Sequence, residues 1–146
     1  DTRFLHCNIK TLNLLVNVMA AEKADSMGCG ECVFHRGDVV TECAHSNVSI
    51  IKDGIFKTHP TDHYILPGIT RMHIIQICKD NGIPVDETPF TMAELMDADE
   101  IIVSSSTKFC SPACEMNGTP IGGKAPELVK LIQEKYMEKF ENETAN

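Results

Sequence analysis

Two tight-turn signals, Arg36-Gly37-Asp38 and Lys52-Asp53-Gly54, sit between short runs rich in valine, isoleucine and phenylalanine. They constrain the fold more than any other feature, because a glycine-bearing turn between apolar runs closes an antiparallel hairpin. ECVFHRGDVVTEC therefore reads as one hairpin, and NVSII with IFKTHP as a second. Helical spacing surrounds them. Residues 3–10 alternate apolar and polar side chains and suit an extended segment. A helix is expected from Thr11, with Leu12, Leu15, Val16, Met19 and Ala20 on its apolar face and Gly28 as its stop. Gly68 opens a further helix, ITRMHIIQICKDNG, whose face is Ile69, Met72, Ile75 and Cys78 and which Gly82 and Pro84 close.

A short strand over Val85–Phe90 leads to TMAELMDA, where Thr91 and Glu94 have the spacing of a capping box. EIIVSSS reads as a buried strand, Met116-Asn117-Gly118-Thr119 as a turn, and Ala125–Glu143 as a final amphipathic helix. Hairpins interspersed with helices imply an α+β fold with a mixed, barrel-like, partly closed sheet and flanking helices. No repeat or linker divides the 146 residues, so residues 1–146 read as one domain. The opening DTRFLHCNIK has no initiator methionine and reads as an element already under way, the expectation for a truncated product.

Composition narrows the function classes. A net charge of -8 repels phosphate backbones, so no nucleic-acid partner is expected. No apolar run approaches the ~20 residues of a membrane-spanning helix, and no signal peptide is evident. The expected setting is therefore cytoplasmic, with no membrane partner. The seven cysteines are odd in number and irregular in spacing, which fits free thiols.

Single residues with chemical potential have bland readings too. Lys10 at a strand end is ordinarily solvated, and Glu42 at the end of a hairpin strand is ordinarily solvent-facing. Gly68-Ile69-Thr70 at a helix start is a potential anion site, because free N–H groups and the helix dipole converge there. Ser104-Ser105-Ser106-Thr107 is a strand-to-loop transition that could donate hydroxyls. Cys29-Gly30-Glu31-Cys32 has zinc or redox spacing, but Cys110 and Cys114 do not supply a second pair of the right style. The histidines form no H-x-x-x-H pattern on a helix, so no metal is expected.

The separate signals align in four ordered blocks: NIKTLNLL (8–15), VTE with SN (40–42 and 46–47), ILPGITRM (65–72) and ADEIIVSSST (98–107). Together they resemble the D-amino-acid transaminases among fold-type-IV pyridoxal-phosphate enzymes, and the resemblance covers practically the whole chain. It implies a C-terminal, cofactor-binding large domain and an N-terminal small domain absent from this chain. The implied cofactor is pyridoxal 5'-phosphate. The implied reaction moves an amino group between a D-amino acid such as D-alanine and a 2-oxo acid such as 2-oxoglutarate, in a homodimer when full-length. Lys10 is similar to the lysine that carries the cofactor and shuttles the substrate proton, and Glu42 to the carboxylate facing the pyridine nitrogen. Ile69 and Thr70 resemble the phosphate cup, with Ser105 and Ser106 as further donors. Arg3 resembles a phosphate or active-site arginine, and Leu66 the apolar residue against the ring.

The sequence also departs from that pattern. Cys43-Ala44-His45 stands where relatives tend to have glycine and small hydroxyl residues, and Lys108-Phe109-Cys110 where they commonly carry alanine and glutamate. Branched-chain aminotransferases and aminodeoxychorismate lyases are the alternatives within the superfamily. Outside it stand a non-catalytic relic and a binding module built on the C-x-x-C.

Overall fold

The computed structural model describes residues 1–145. Its order is α1 (Leu15–Ser26), β1 (Val33–Arg36), β2 (Val39–Cys43), β3 (Asn47–Lys52), β4 (Ile55–Thr58), α2 (Ile69–Asp80) and β5 (Val85–Asp86). Then come α3 (Met92–Asp97), β6 (Glu100–Ser105), β7 (Phe109–Ala113), β8 (Glu115–Met116), β9 (Thr119–Pro120) and α4 (Pro126–Thr144). The main sheet has five strands in the order β5-β4-β3-β6-β7, parallel only between β4 and β5. The β1–β2 and β8–β9 hairpins form separate ribbons. The fold is α+β with a mixed sheet, as the turn signals required.

Period-2 alternation along β3 and β6 builds a core on each face of the main sheet. Ile51 and Ile102 point to one face and pack with Ile74, Cys78 and Ile132 from α2 and α4. Ile50, Ile101 and Val103 point to the other, where Val40, Phe90 and Leu95 cover them. β3 and β6 are thus apolar on both sides, which is why EIIVSSS reads as continuous and not as alternating.

The expected hairpins form at both turns. Asp53 (φ 50°) and Gly54 (φ 76°) are both left-handed, the requirement of the two-residue turn that joins β3 to β4. The expected turn at Met116–Thr119 joins β8 to β9 in the same way, with Asn117 at φ 49° and Gly118 at φ 79°. Thr91 and Glu94 make the reciprocal capping box of α3.

Five expectations need correction. Residues 3–10 form turns and irregular backbone, not a strand, and α1 begins at Leu15 instead of Thr11. The apolar face assigned to that first helix is not buried: Leu12 is 100% exposed, Leu15 69% and Met19 63%, and Ala24 alone in α1 is buried. On α2 the buried set is Thr70, Arg71, Ile74, Ile75, Ile77 and Cys78, whereas Ile69 and Met72 face outwards. Arg71 takes an inward position because Thr58, the His59 carbonyl and Glu87 satisfy its guanidinium. The strand expected over Val85–Phe90 is confined to Val85–Asp86, and β7 is an addition. β7 escapes sequence reading because Pro112 interrupts it, which an edge strand tolerates.

Candidate functional site

Glu42 lies near the end of β2 with only 6% of its surface exposed. A bare buried carboxylate is costly, so its surroundings must supply donors. Three converge. The Leu66 backbone N–H donates to Oε2 at 2.9 Å, Asn47 Nδ2 donates to the same oxygen at 3.2 Å, and Arg3 Nη1 donates to Oε1. Burial pushes the Glu42 carboxyl above its usual range, while the Leu66 N–H and the Arg3 guanidinium draw it back.

Arg3 is itself buried and fully engaged. It also donates to Asp1 at 2.8 Å, to Thr41 Oγ1 at 3.1 Å and to the Tyr64 carbonyl at 3.3 Å, with its guanidinium 4.3 Å from the centre of the Phe34 ring. These partners place Arg3 behind Glu42, as the cation that holds it.

The remaining expected residues gather around Asn47. Its Nδ2 also donates to the Leu66 carbonyl at 2.9 Å. Gly68, the N-cap of α2, comes so close that a Cβ there would lie 2.1 Å from Asn47 Oδ1. No side chain caps α2, so the N–H groups of its first turn, including Ile69 and Thr70, have no intrahelical acceptor. In the β3–β6 register Asn47 pairs with Ser104. Ser105, the last residue of β6, and Ser106 after it therefore lie at the same end of the sheet, Ser105 half-buried and Ser106 exposed. Ser105 Oγ accepts from the Lys108 backbone N–H at 3.1 Å. Leu66 is half-buried and serves the site through both backbone groups.

Lys10 is bonded to none of these residues. The segment before it is tied down by Cys7, whose N–H donates to the His63 carbonyl at 2.9 Å. Lys10 is exposed and makes no hydrogen bond or ion pair among the described residues. Of the expected residues, the structure brings Glu42, Leu66 and the start of α2 together, and Asn47, which joins them, was not singled out from the sequence. Its only signal was its place in the SN pair of the second block.

The C-x-x-C segment has a different use. Glu31, between the two cysteines, accepts from Ser46 Oγ at 2.9 Å and pairs with Lys108 Nζ at 3.2 Å. Lys108 also donates to the Gly30 carbonyl at 2.7 Å. A cleft of about 390 Å³ opens here, lined among others by Ala24, Cys29, Glu31, His45, Ser105 and Lys108. It touches the candidate site at Ser46 and Ser105 but includes neither Lys10, Glu42 nor α2. All seven cysteines are free thiols. Among the described residues no group of three His, Cys, Asp or Glu side chains could hold a metal ion, and no helix is long and apolar enough to cross a membrane.

Comparison with known proteins identifies the family. The amino-transferase class IV family model matches residues 1–116. A D-alanine aminotransferase of Listeria monocytogenes serotype 4b is 48% identical over 135 residues, covering 91% of this chain and 47% of that protein. Among solved structures, the branched-chain amino acid aminotransferase of Escherichia coli superposes with TM-score 0.80 at 29% identity, covering 86% of this chain and 43% of the other. A T.th. branched-chain amino acid aminotransferase with pyridoxamine 5'-phosphate gives 0.77 at 28%, covering 86% and 42%. This chain spans about half the length of the curated relatives it matches.

Proposed function

Because the chain belongs to the class IV aminotransferases, we propose that it is the cofactor-binding part of a pyridoxal-phosphate enzyme. That enzyme moves an amino group from a D-amino acid such as D-alanine to a 2-oxo acid such as 2-oxoglutarate. The buried, three-donor Glu42 beside the uncapped start of α2 carries this reading. A buried carboxylate paired with Arg3 at one end and free N–H groups at the other suit a ligand with a basic ring nitrogen and a phosphate. The residues present therefore fit pyridoxal phosphate. The choice of D-amino acids rests on the 48% identity to a D-alanine aminotransferase, against 26–31% to branched-chain enzymes of known structure.

When bound, the cofactor supplies an aldehyde that takes up the amino group and a ring that delocalises electrons from the substrate Cα. Lys10 would hold that aldehyde covalently and, once released, move a proton at the substrate Cα; its exposure leaves it accessible to both. Glu42 would keep a proton on the ring nitrogen, and Arg3 draws the Glu42 carboxyl down against the effect of burial. Ile69 and Thr70 would bind phosphate through backbone N–H groups and the helix dipole, assisted by Ser105 and Ser106. Leu66 would place its apolar side chain against the ring.

The proposed full enzyme has a smaller N-terminal domain and is a cytoplasmic homodimer. Support comes from the apolar side chains of Phe4, Leu5, Ile9, Leu12, Leu15 and Met19, which lie 53–100% exposed on one continuous stretch. A run of that kind is ordinarily covered by another domain or subunit. Incubating the cofactor-loaded chain separately with D-alanine and L-leucine, and quantifying pyridoxamine phosphate, tests the substrate class. Amino transfer from D-alanine in excess over L-leucine is the expected result. The reverse order would assign the chain to branched-chain substrates.

A further inference from the structure

We infer that Asn47 is a positioning residue that locks the Glu42 carboxylate to the start of α2, so that both ends of the ligand site are set by one side chain. The inference rests on the function proposed above and adds a residue that the function does not itself require. Asn47 is 6% exposed. Nδ2 splits between Glu42 Oε2 at 3.2 Å and the Leu66 carbonyl at 2.9 Å. Leu66 in turn sends its N–H to the same Glu42 oxygen at 2.9 Å. Asn47, Leu66 and Glu42 thus close a ring of three hydrogen bonds, with Leu66 two residues before the N-cap of α2.

Gly68 supplies the second observation. Its backbone is extended (φ -65°, ψ 133°), a conformation open to any residue, so the glycine is not required by its own dihedrals. It is required by space: a Cβ would sit 2.1 Å from Asn47 Oδ1 and 3.3 Å from its Cγ. The glycine that opens α2 is therefore the socket for Asn47. The amide donates to the carboxylate on one side and abuts the helix N-terminus on the other. Displacing it loosens Glu42 and the first turn of α2 together.

The test uses this chain and the variants Asn47→Asp, Asn47→Ala, Gly68→Ala and the double variant Asn47→Ala/Gly68→Ala. Asn47→Asp keeps the shape and the oxygen against Gly68 but replaces the donor with a second carboxylate oxygen, and one carboxyl of such a pair titrates high. The first readout is the Glu42 carboxyl titration, followed by carbon-13 NMR without cofactor. Its midpoint is expected to rise in Asn47→Asp and Asn47→Ala, and in Gly68→Ala through displacement of Asn47. The second readout is the dissociation constant for pyridoxal phosphate, expected to weaken by about tenfold in each single variant, the effect of losing a hydrogen bond to a charged group. Gly68→Ala should add nothing once Asn47 is alanine, because the atom it would strike is gone. An unchanged Glu42 titration in folded Asn47→Asp would overturn the inference. So would a Gly68→Ala effect of equal size with and without Asn47. Failure of the unaltered chain to bind pyridoxal phosphate would overturn the functional reading instead, and the titration would still decide the role of Asn47.

Discussion

Glu42 and Arg3 form a buried ion pair in which each side chain is at least nine-tenths covered. Such a pair is tolerated only when its remaining lone pairs and N–H groups are satisfied, and removing one partner typically costs ~3–5 kcal/mol. Arg3→Met is therefore expected to destabilise the fold by about 3 kcal/mol at neutral pH, measured by urea unfolding. The pH dependence has a definite sign. Burial raises the Glu42 carboxyl in the folded state, so on its own it favours folding below the ordinary carboxylate range. That contribution is lost as pH rises through the folded value. Without Arg3 the folded value rises further, so the cost of Arg3→Met should shrink on acidification. A cost that is constant from about pH 4 to pH 8, the range where carboxyls and their raised forms titrate, would show that the pair does not act through charge. The chemistry of these two residues was visible from the sequence only through the resemblance, since nothing local separates Glu42 from a surface carboxylate. Asn47 was less legible still. Its role depends on residues 42, 66 and 68, which chain distance keeps apart until the fold is made.

Elements whose signals are local agree with the structure, and those settled by packing do not. Lys52-Asp53-Gly54 marks its hairpin because both central residues must adopt positive φ, and Asp and Gly do so readily. The Thr91–Glu94 box is equally local: Thr91 Oγ1 accepts the Glu94 N–H at 3.2 Å and Glu94 accepts the Thr91 N–H at 2.7 Å. Thr91→Ala should lower stability by about 1 kcal/mol, read from thermal unfolding. No loss would mean that α3 is held by Leu95 in the core and not by its cap. The stretch from Leu12 to Ala20, by contrast, has helical spacing, yet its apolar side meets no core in this chain. Periodicity reports that a face will be covered but not by what. On α2 the same limit appears as a rotation. The spacing nominated Ile69 and Met72, whereas the partners of Arg71 turn that residue inwards and leave those two outside.

At the scale of the molecule, the double-faced sheet carries Asn47 and Ser105 and the separate β1–β2 ribbon carries Glu42, while Lys10 lies exposed. That division predicts slow chemistry for the chain alone. A substrate must be gripped so that its Cα–H bond stays aligned with the ring, and orientation of this kind is worth several orders of magnitude in rate. Nothing in the described residues closes over Lys10. Single-turnover conversion of D-alanine by the cofactor-loaded chain should therefore fall far below the ~10 per second of an ordinary enzyme. A rate near that value would show that this chain is self-sufficient. The exposed run from Phe4 to Met19 should also drive concentration-dependent self-association, visible in sedimentation velocity. Mutating Leu12 and Leu15 to serine should abolish it; unchanged sedimentation would remove the support this surface gives to a covering domain.

The central claim, that this fold presents Lys10 to pyridoxal phosphate opposite Glu42, is tested most directly by covalent mapping. The chain is loaded with the cofactor, reduced with borohydride and digested, and the site of the pyridoxyl group is read by mass spectrometry. The account predicts a single modified peptide carrying the group on Lys10, with labelling strongly reduced in Glu42→Ala. Modification centred on Lys108 or Lys124 with Lys10 clean, or labelling spread evenly over the surface lysines, would contradict it.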